Sequence, residues 1–102
     1  MRRRLVAAMD ARMSDFDALV LPTCPIVAPR LDEVATVETF GPKNMLTLRN
    51  TSTGNFFDLC AISLPMPRGK GGLATGLMLF GRNGQDARLF RIAAAVEKAL
   101  AA

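Results

Sequence analysis

Apolar and polar positions along the chain follow a pattern that predicts three helices. An apolar stripe recurs at helical spacing near the C-terminus and predicts a helix over residues 85–100. Residues 2–14 show the same spacing with nothing to interrupt it, and they predict a second helix. A third helix is predicted over residues 45–58, although Gly54 and the polar run before it weaken its middle.

Short continuous apolar runs predict the strands. Residues 18–21 and 61–64 lack alternation and each run is followed by proline, which is typical of strands covered on both faces. Residues 73–80 alternate between apolar and other positions and predict a third strand. The proline- and glycine-rich turn before this strand favours a hairpin between the second and third strands. Residues 22–44, which are rich in proline, predict a long loop.

These elements predict one small α/β domain. The chain has 102 residues, enough for a single thin core. Half of its residues are hydrophobic, which is a large share for a small domain with a mostly polar surface. Such a chain usually has a partner surface or comes from the interior of something larger.

Charge and targeting patterns argue against several classes of protein. The net charge is +4, but Arg2–Arg4 is the only basic cluster and there is no Trp or Tyr to stack on bases, so nucleic-acid binding is not favoured. The first apolar run ends at Asp10 after five residues, whereas the apolar core of a signal peptide needs about 7–15. No run approaches the roughly 20 apolar residues of a membrane span. We expect a soluble cytoplasmic protein with no nucleic-acid or membrane partner, and with reduced cysteines.

The sequence lacks the residues of the commonest catalytic sites. It contains no histidine, which excludes a Ser-His-Asp triad, a Cys-His pair and nearly all catalytic zinc sites. Residues 69–72 are glycine-rich, but no Ser or Thr follows Lys70 and a strand comes next, so a turn is favoured over a phosphate loop. Cys60 opens a predicted strand and is more typical of core packing than of a nucleophile. We therefore predict no catalytic residue, no metal and no cofactor.

Arg49 is a separate candidate. It follows an apolar stretch and precedes Asn50, so we expect its side chain to be partly buried. A partly buried arginine pairs either with a carboxylate of the same protein or with an anionic ligand. The sequence favours the first alternative and leaves the second open.

Three blocks of sequence stand out, at residues 16–25, 49–65 and 76–89. Together they resemble the C-terminal part of amidase signature enzymes, which hydrolyse carbon–nitrogen bonds of amides. Residues 16–25 (FDALVLPTCP) look like the family's late strand and its exit. Residues 49–65 resemble the segment that ends Ala-apolar-Ser-apolar-Pro, and residues 76–89 resemble the closing strand, turn and helix. Leu-Cys-Ala at residues 59–61 departs from the commoner Gly-x-Pro-Ala and leans toward allophanate hydrolases and amidotransferase A-subunits.

The resemblance implies an α/β/α fold, of which this chain supplies about three strands of a mixed sheet with flanking helices. It also implies a Ser–cis-Ser–Lys mechanism, in which desolvation lets the lysine act as the base. Family members carry these groups in a Gly/Ser-rich stretch and an upstream lysine, and this sequence has neither. Residues 1–102 are therefore expected to form one partial domain that is inactive alone.

In the family this region also contributes to the wall of the substrate pocket. By position, the resemblance implies Thr23, Arg49, Thr51 and Asn55 as contacts for a small amide substrate in the full-length enzyme, with Arg49 orienting an acidic group. The alternative is a non-catalytic interaction module derived from a truncated amidase. Exposed strand edges and apolar surface would then drive self-association of the isolated chain.

Overall fold

A computed structural model describes residues 1–101, which contain three α-helices, one short 3₁₀ helix and three strands. The strands form one sheet in which residues 76–81 lie between residues 19–22 and residues 60–65, and both pairings are antiparallel. The mixed sheet implied by the resemblance is thus represented here by antiparallel strands. The elements are α1 (Arg2–Met13), β1 (Leu19–Pro22), the 3₁₀ helix (Leu31–Val34), α2 (Val37–Phe56), β2 (Cys60–Pro65), β3 (Gly76–Gly81) and α3 (Asp86–Ala101).

The central strand β3 forms the core because helices cover both of its faces. Met78, Leu79 and Phe80 are all buried. Successive side chains of a strand point to opposite faces, so Met78 and Phe80 pack with Met13 of α1 while Leu79 packs with Leu89 of α3. The arrangement is a helix–sheet–helix sandwich, which confirms the predicted α/β class.

Helix α2 lies on the same face of the sheet as α1. Gly54 of α2 is buried against the Phe80 ring, and a Cβ atom added there would lie 2.5 Å from the nearest ring carbon. The Asn50 side-chain amide donates a hydrogen bond of 2.8 Å to the carbonyl of Pro22, at the end of β1. A close glycine contact and a side-chain hydrogen bond therefore connect α2 to the sheet.

The prediction that the first two strands are covered on both faces is wrong. The last strand in sequence takes the central place, so β1 and β2 become edges. Their exposure alternates along the strand, and Val20 of β1 remains 49% exposed. The third strand begins at Gly76, three residues later than predicted, and Leu73 lies in the connection before it.

The predicted loop over residues 22–44 is also wrong in its second half, because α2 begins at Val37. Thr36 caps the helix: its hydroxyl accepts a hydrogen bond from the Thr39 amide, at 3.3 Å. Pro42 lies inside the helix, where it removes one backbone hydrogen bond without ending the element. The proline and glycine signals thus concealed a capped helix that ends near its predicted terminus.

Three ion pairs connect elements that are distant in sequence. Arg82, after β3, donates two hydrogen bonds of 2.9 and 2.8 Å to the carboxylate of Asp10 in α1. These hydrogen bonds hold the pKa of Asp10 below its ordinary value. The other two are Arg2–Asp58 and Arg88–Asp17, each at 2.7 Å.

Candidate functional site

A cleft of about 390 Å³ opens where one end of the sheet meets the loop that follows β1. Its volume lies within the range of roughly 300–1,000 Å³ that is common for small-molecule sites. The walls are mostly apolar, and none of the described residues that line the cleft is charged. The lining comes from residues 23–24 and 26–29, Thr47, Ser63 and residues 74–76.

Two hydroxyl groups meet in this cleft. Thr23 Oγ1, just after β1, is hydrogen-bonded to Ser63 Oγ of β2, and either oxygen can be the donor. The pair lies over Gly76 at the start of β3. A Cβ atom at Gly76 would be 2.6 Å from the Ser63 oxygen and 2.7 Å from the Thr23 oxygen. Only a glycine in the central strand leaves room for the side chains of the two edge strands to meet.

The backbone holds one half of this pair in place. The Thr23 amide donates a hydrogen bond of 2.9 Å to the carbonyl of Gly76, which extends the β1–β3 pairing by one residue. Thr47 of α2 also lines the cleft, but its hydroxyl donates to the carbonyl of Lys43 at 2.9 Å. The Thr23–Ser63 pair is therefore the more available polar feature for a bound molecule.

The structure places only one of the four sequence candidates in the cleft, namely Thr23. Thr51 lies on α2, where its hydroxyl donates to the carbonyl of Leu48 at 3.2 Å. Asn55 lies near the other end of the molecule, and its backbone carbonyl accepts a hydrogen bond from Arg2 at 3.4 Å. Arg49, Thr51 and Asn55 do not line the cleft.

The expectation that Arg49 is partly buried is wrong. The residue is exposed on α2, and its Nε donates a hydrogen bond of 3.4 Å to Oδ1 of the neighbouring Asn50. The apolar stretch before Arg49 suggested burial, but no described element covers that side of the helix: Leu46 and Leu48 are exposed as well. Apolar neighbours in sequence therefore did not indicate a buried environment.

Thr23 is the one lining residue that sequence reasoning singled out; the residues it missed include Thr47, Ser63 and Gly76. No local signal distinguishes Thr47 from the other polar residues of α2. Ser63 and Gly76 belong to predicted strands, but no local signal indicates which strand residues face each other. Their contact with Thr23 depends on the strand order.

The hydroxyl of each serine in the described residues is hydrogen-bonded within the segment. Ser14 and Ser52 donate to the carbonyls of Ala11 and Leu48, at 2.6 and 2.7 Å, and Ser63 is paired with Thr23. Within residues 1–101, none of these hydroxyls is hydrogen-bonded to a lysine. A serine nucleophile requires a neighbouring base, and that contact is not made here.

Two other interpretations of the sequence are confirmed. The glycine-rich segment lies in the connection between antiparallel strands β2 and β3, with Gly71 at φ +76°. Cys60 packs half-buried against the α3 cluster, and its thiol contacts the Arg82 carbonyl at 3.4 Å.

Between Met1 and Ala101, no group of three or more cysteine, aspartate or glutamate side chains could hold a metal.

None of the helices within the described part of the chain combines the length and the apolar character needed to cross a bilayer.

Comparisons with known proteins agree with this architecture. The profile of the Amidase family matches residues 1–90. The 2-amino-5-chloromuconic acid deaminase of Comamonas testosteroni is 41% identical over 83 residues, covering 81% of this chain and 18% of the deaminase. The fatty acid amide hydrolase of Medicago truncatula is 36% identical over 99 residues, covering 95% of this chain and 16% of the hydrolase.

A solved structure shares the fold. The glutamyl-tRNA(Gln) amidotransferase of Thermotoga maritima has an A-type subunit whose crystal structure superposes with a TM-score of 0.73 at 31% identity, covering 95% of this chain and 20% of that chain. The chain thus spans about a fifth of the length of these three relatives. Because the family profile covers most of its residues and the fold is shared, the chain belongs to the amidase family.

Proposed function

We propose that these residues are the C-terminal part of an amidase that hydrolyses the carbon–nitrogen bond of linear amides by a Ser–cis-Ser–Lys mechanism. The observation that carries the proposal is the family match over residues 1–90. The uncharged cleft supports it, because a pocket lined by strand ends and loops is a typical place for a small substrate. In this proposal the segment supplies part of the pocket wall.

The nucleophile, the bridging serine and the lysine come from residues outside this segment. The hydroxyls of Ser14 and Ser52 donate hydrogen bonds to backbone carbonyls, and the Ser63 hydroxyl is hydrogen-bonded to that of Thr23. Within residues 1–101, no serine hydroxyl is hydrogen-bonded to a lysine, so no Ser–Lys pair is formed in this segment. The segment alone is therefore expected to bind a small amide but not to cleave it.

Thr23 is the sequence candidate that this proposal retains as a substrate contact, because it lines the cleft. Arg49, Thr51 and Asn55 stay predictions, since they could contact substrate only if further chain folded over α2. Self-association of the isolated chain and a cytoplasmic location also stay predictions. The exposed apolar side chains of α2 and β1 support the first of them.

The proposal is tested with two proteins. The first is the isolated 102-residue chain. The second is a chimera of the Comamonas deaminase in which the matching segment is replaced by this chain, with the parent deaminase as control. Both are assayed for ammonia release from a panel of short linear amides. We expect no release by the isolated chain and release by the chimera.

Two results would contradict the proposal. Turnover by the purified isolated chain would show that the segment carries its own nucleophile and base. A folded chimera that cleaves neither the amides nor the substrate of the parent deaminase would show that the segment cannot form the wall of an amidase substrate pocket. Circular dichroism and thermal melting establish that the chimera is folded.

A further inference from the structure

We infer that the cleft binds a neutral primary amide and discriminates against carboxylates, with Thr23 and Ser63 as the specificity-determining residues. The inference rests on the proposed function and narrows its substrate class. It depends on the hydrogen-bonding capacity of the hydroxyl pair, on the absence of charge in the lining and on the size of the cleft.

The hydroxyl pair has an unused donor and unused acceptors. Each hydroxyl can donate one hydrogen bond and accept two. The bond between Thr23 and Ser63 uses one of the two hydrogens, so one O–H and several lone pairs remain. A carboxamide presents a carbonyl oxygen to accept from that O–H and an NH₂ group to donate to a lone pair. One amide group can therefore satisfy both sides of the pair.

The lining gives no compensation to a charged ligand. No described residue of the cleft carries a positive charge, and the exposed Arg49 guanidinium is not part of its wall. A carboxylate that enters an apolar site without a cationic partner loses hydration that nothing replaces. This opposes the acidic-substrate role expected for Arg49 from sequence, at least within this cleft.

The size and walls of the cleft admit a small amide that carries an apolar group. Its volume of about 390 Å³ lies within the range for small-molecule sites. Residues 26–29 of the wall, Ile-Val-Ala-Pro, are apolar, and the hydroxyl pair lies among them. The Thr23 backbone hydrogen bond to Gly76 holds the pair in register before a ligand arrives, which reduces the entropy lost on binding.

The test uses the ¹⁵N-labelled 102-residue chain and three matched probes. Isobutyramide is the neutral amide. 3-Methyl-2-butanone has nearly the same shape and a carbonyl but no N–H group, and succinamate carries an amide and a carboxylate. We expect isobutyramide to shift the backbone amide signals of Thr23, Ser63 and Gly76. The ketone should bind about two- to twelvefold more weakly, since a hydrogen bond contributes roughly 0.5–1.5 kcal/mol. Succinamate should also bind more weakly, because its carboxylate loses hydration without gaining a cationic partner.

Two variants test whether the hydroxyls of Thr23 and Ser63 account for the binding of isobutyramide. Thr23→Val keeps the shape of the side chain and removes its hydroxyl, and Ser63→Ala removes the other hydroxyl. Each should weaken isobutyramide binding about fivefold. Ser52→Ala, which removes a hydroxyl of α2 outside the cleft, is the matched control and should leave binding unchanged.

The inference is overturned if isobutyramide binds no better than the ketone or succinamate, or if Thr23→Val and Ser63→Ala bind it like the parent chain. The amidase proposal would survive either result, provided that the chimera described above cleaves amides. Conversely, selective binding with an inert chimera would support the site and remove the proposed function. In an active chimera, Thr23→Val should raise KM for isobutyramide more than it lowers kcat; an unchanged KM also overturns the inference.

Discussion

Helices α2 and α3 are both longer than the average helix, yet they meet the sheet in different ways. Helix α3 buries Leu89 and Ala93 in the core cluster on its face of β3. Helix α2 has 20 residues, and Gly54 is the only one that is fully buried. Its apolar side chains Phe40 and Met45 stay 51% and 71% exposed.

The difference teaches that apolar content and packing are separate properties. The apolar residues of α3 recur on one stripe, so this stripe packs against side chains of β2 and β3. Those of α2 are spread around its circumference, and the described chain covers only a narrow strip beside Gly54 and Asn50. A segment that spans a fifth of its relatives is expected to leave such a surface open.

The largest effect should come from truncating an apolar side chain in each helix. Leu89→Ala in α3 should lower the free energy of unfolding by about 2–5 kcal/mol, because it leaves a cavity in a buried cluster. Met45→Ala in α2 is the matched control and should stay within about 0.5 kcal/mol, since the side chain is already in water. Urea denaturation followed by circular dichroism measures both. Equal losses in the two variants would show that α2 is packed as well as α3.

A glycine substitution within α2 sharpens the comparison. Gly54→Ala should destabilise the fold by about 1–3 kcal/mol, although alanine favours helices, because the added methyl group meets the Phe80 ring. Gly41→Ala in the same helix is the control. A Cβ there has no atom within 4 Å apart from its chain neighbours, so stability should be unchanged or rise by up to about 1 kcal/mol. If both variants gained stability, the contact between α2 and β3 would be absent in solution.

The smallest effect concerns the ion pair between Asp10 and Arg82. The hydrogen bonds from Arg82 lower the pKa of Asp10 in the folded state, so ionised Asp10 stabilises the fold. That contribution is present above the unfolded pKa of about 3.9 and is lost as the pH falls through the lower folded pKa. Arg82→Gln should move the Asp10 carboxyl midpoint, measured by NMR, up toward about 3.9.

Arg88→Gln is the control for that titration, because Arg88 pairs with Asp17 rather than Asp10. It should leave the Asp10 midpoint in place. A midpoint for Asp10 that is the same in the parent chain and in Arg82→Gln would mean that the ion pair is not formed in solution.

Local signals were sufficient for α1, α3 and the β2–β3 hairpin. The stripe through Leu89 and the turn at Gly71 are properties of neighbouring residues, and both appear where the pattern predicts them. The start of α2 could also have been read from the Thr36–Thr39 cap, but Gly41 and Pro42 give the opposite local signal, that of a loop. Exposure of Arg49 could not be predicted, because it depends on what covers α2 rather than on its neighbours in sequence.

The sequence by itself determined most of the elements, the family and the lack of histidine chemistry, since these depend on local patterns or residue types. Only the tertiary structure decided that β3 lies between β1 and β2. That order joins the hydroxyls of Thr23 and Ser63, which are 40 residues apart in sequence, over Gly76. Strand order and register are set by packing between distant segments, and a local pattern of residues carries no record of them.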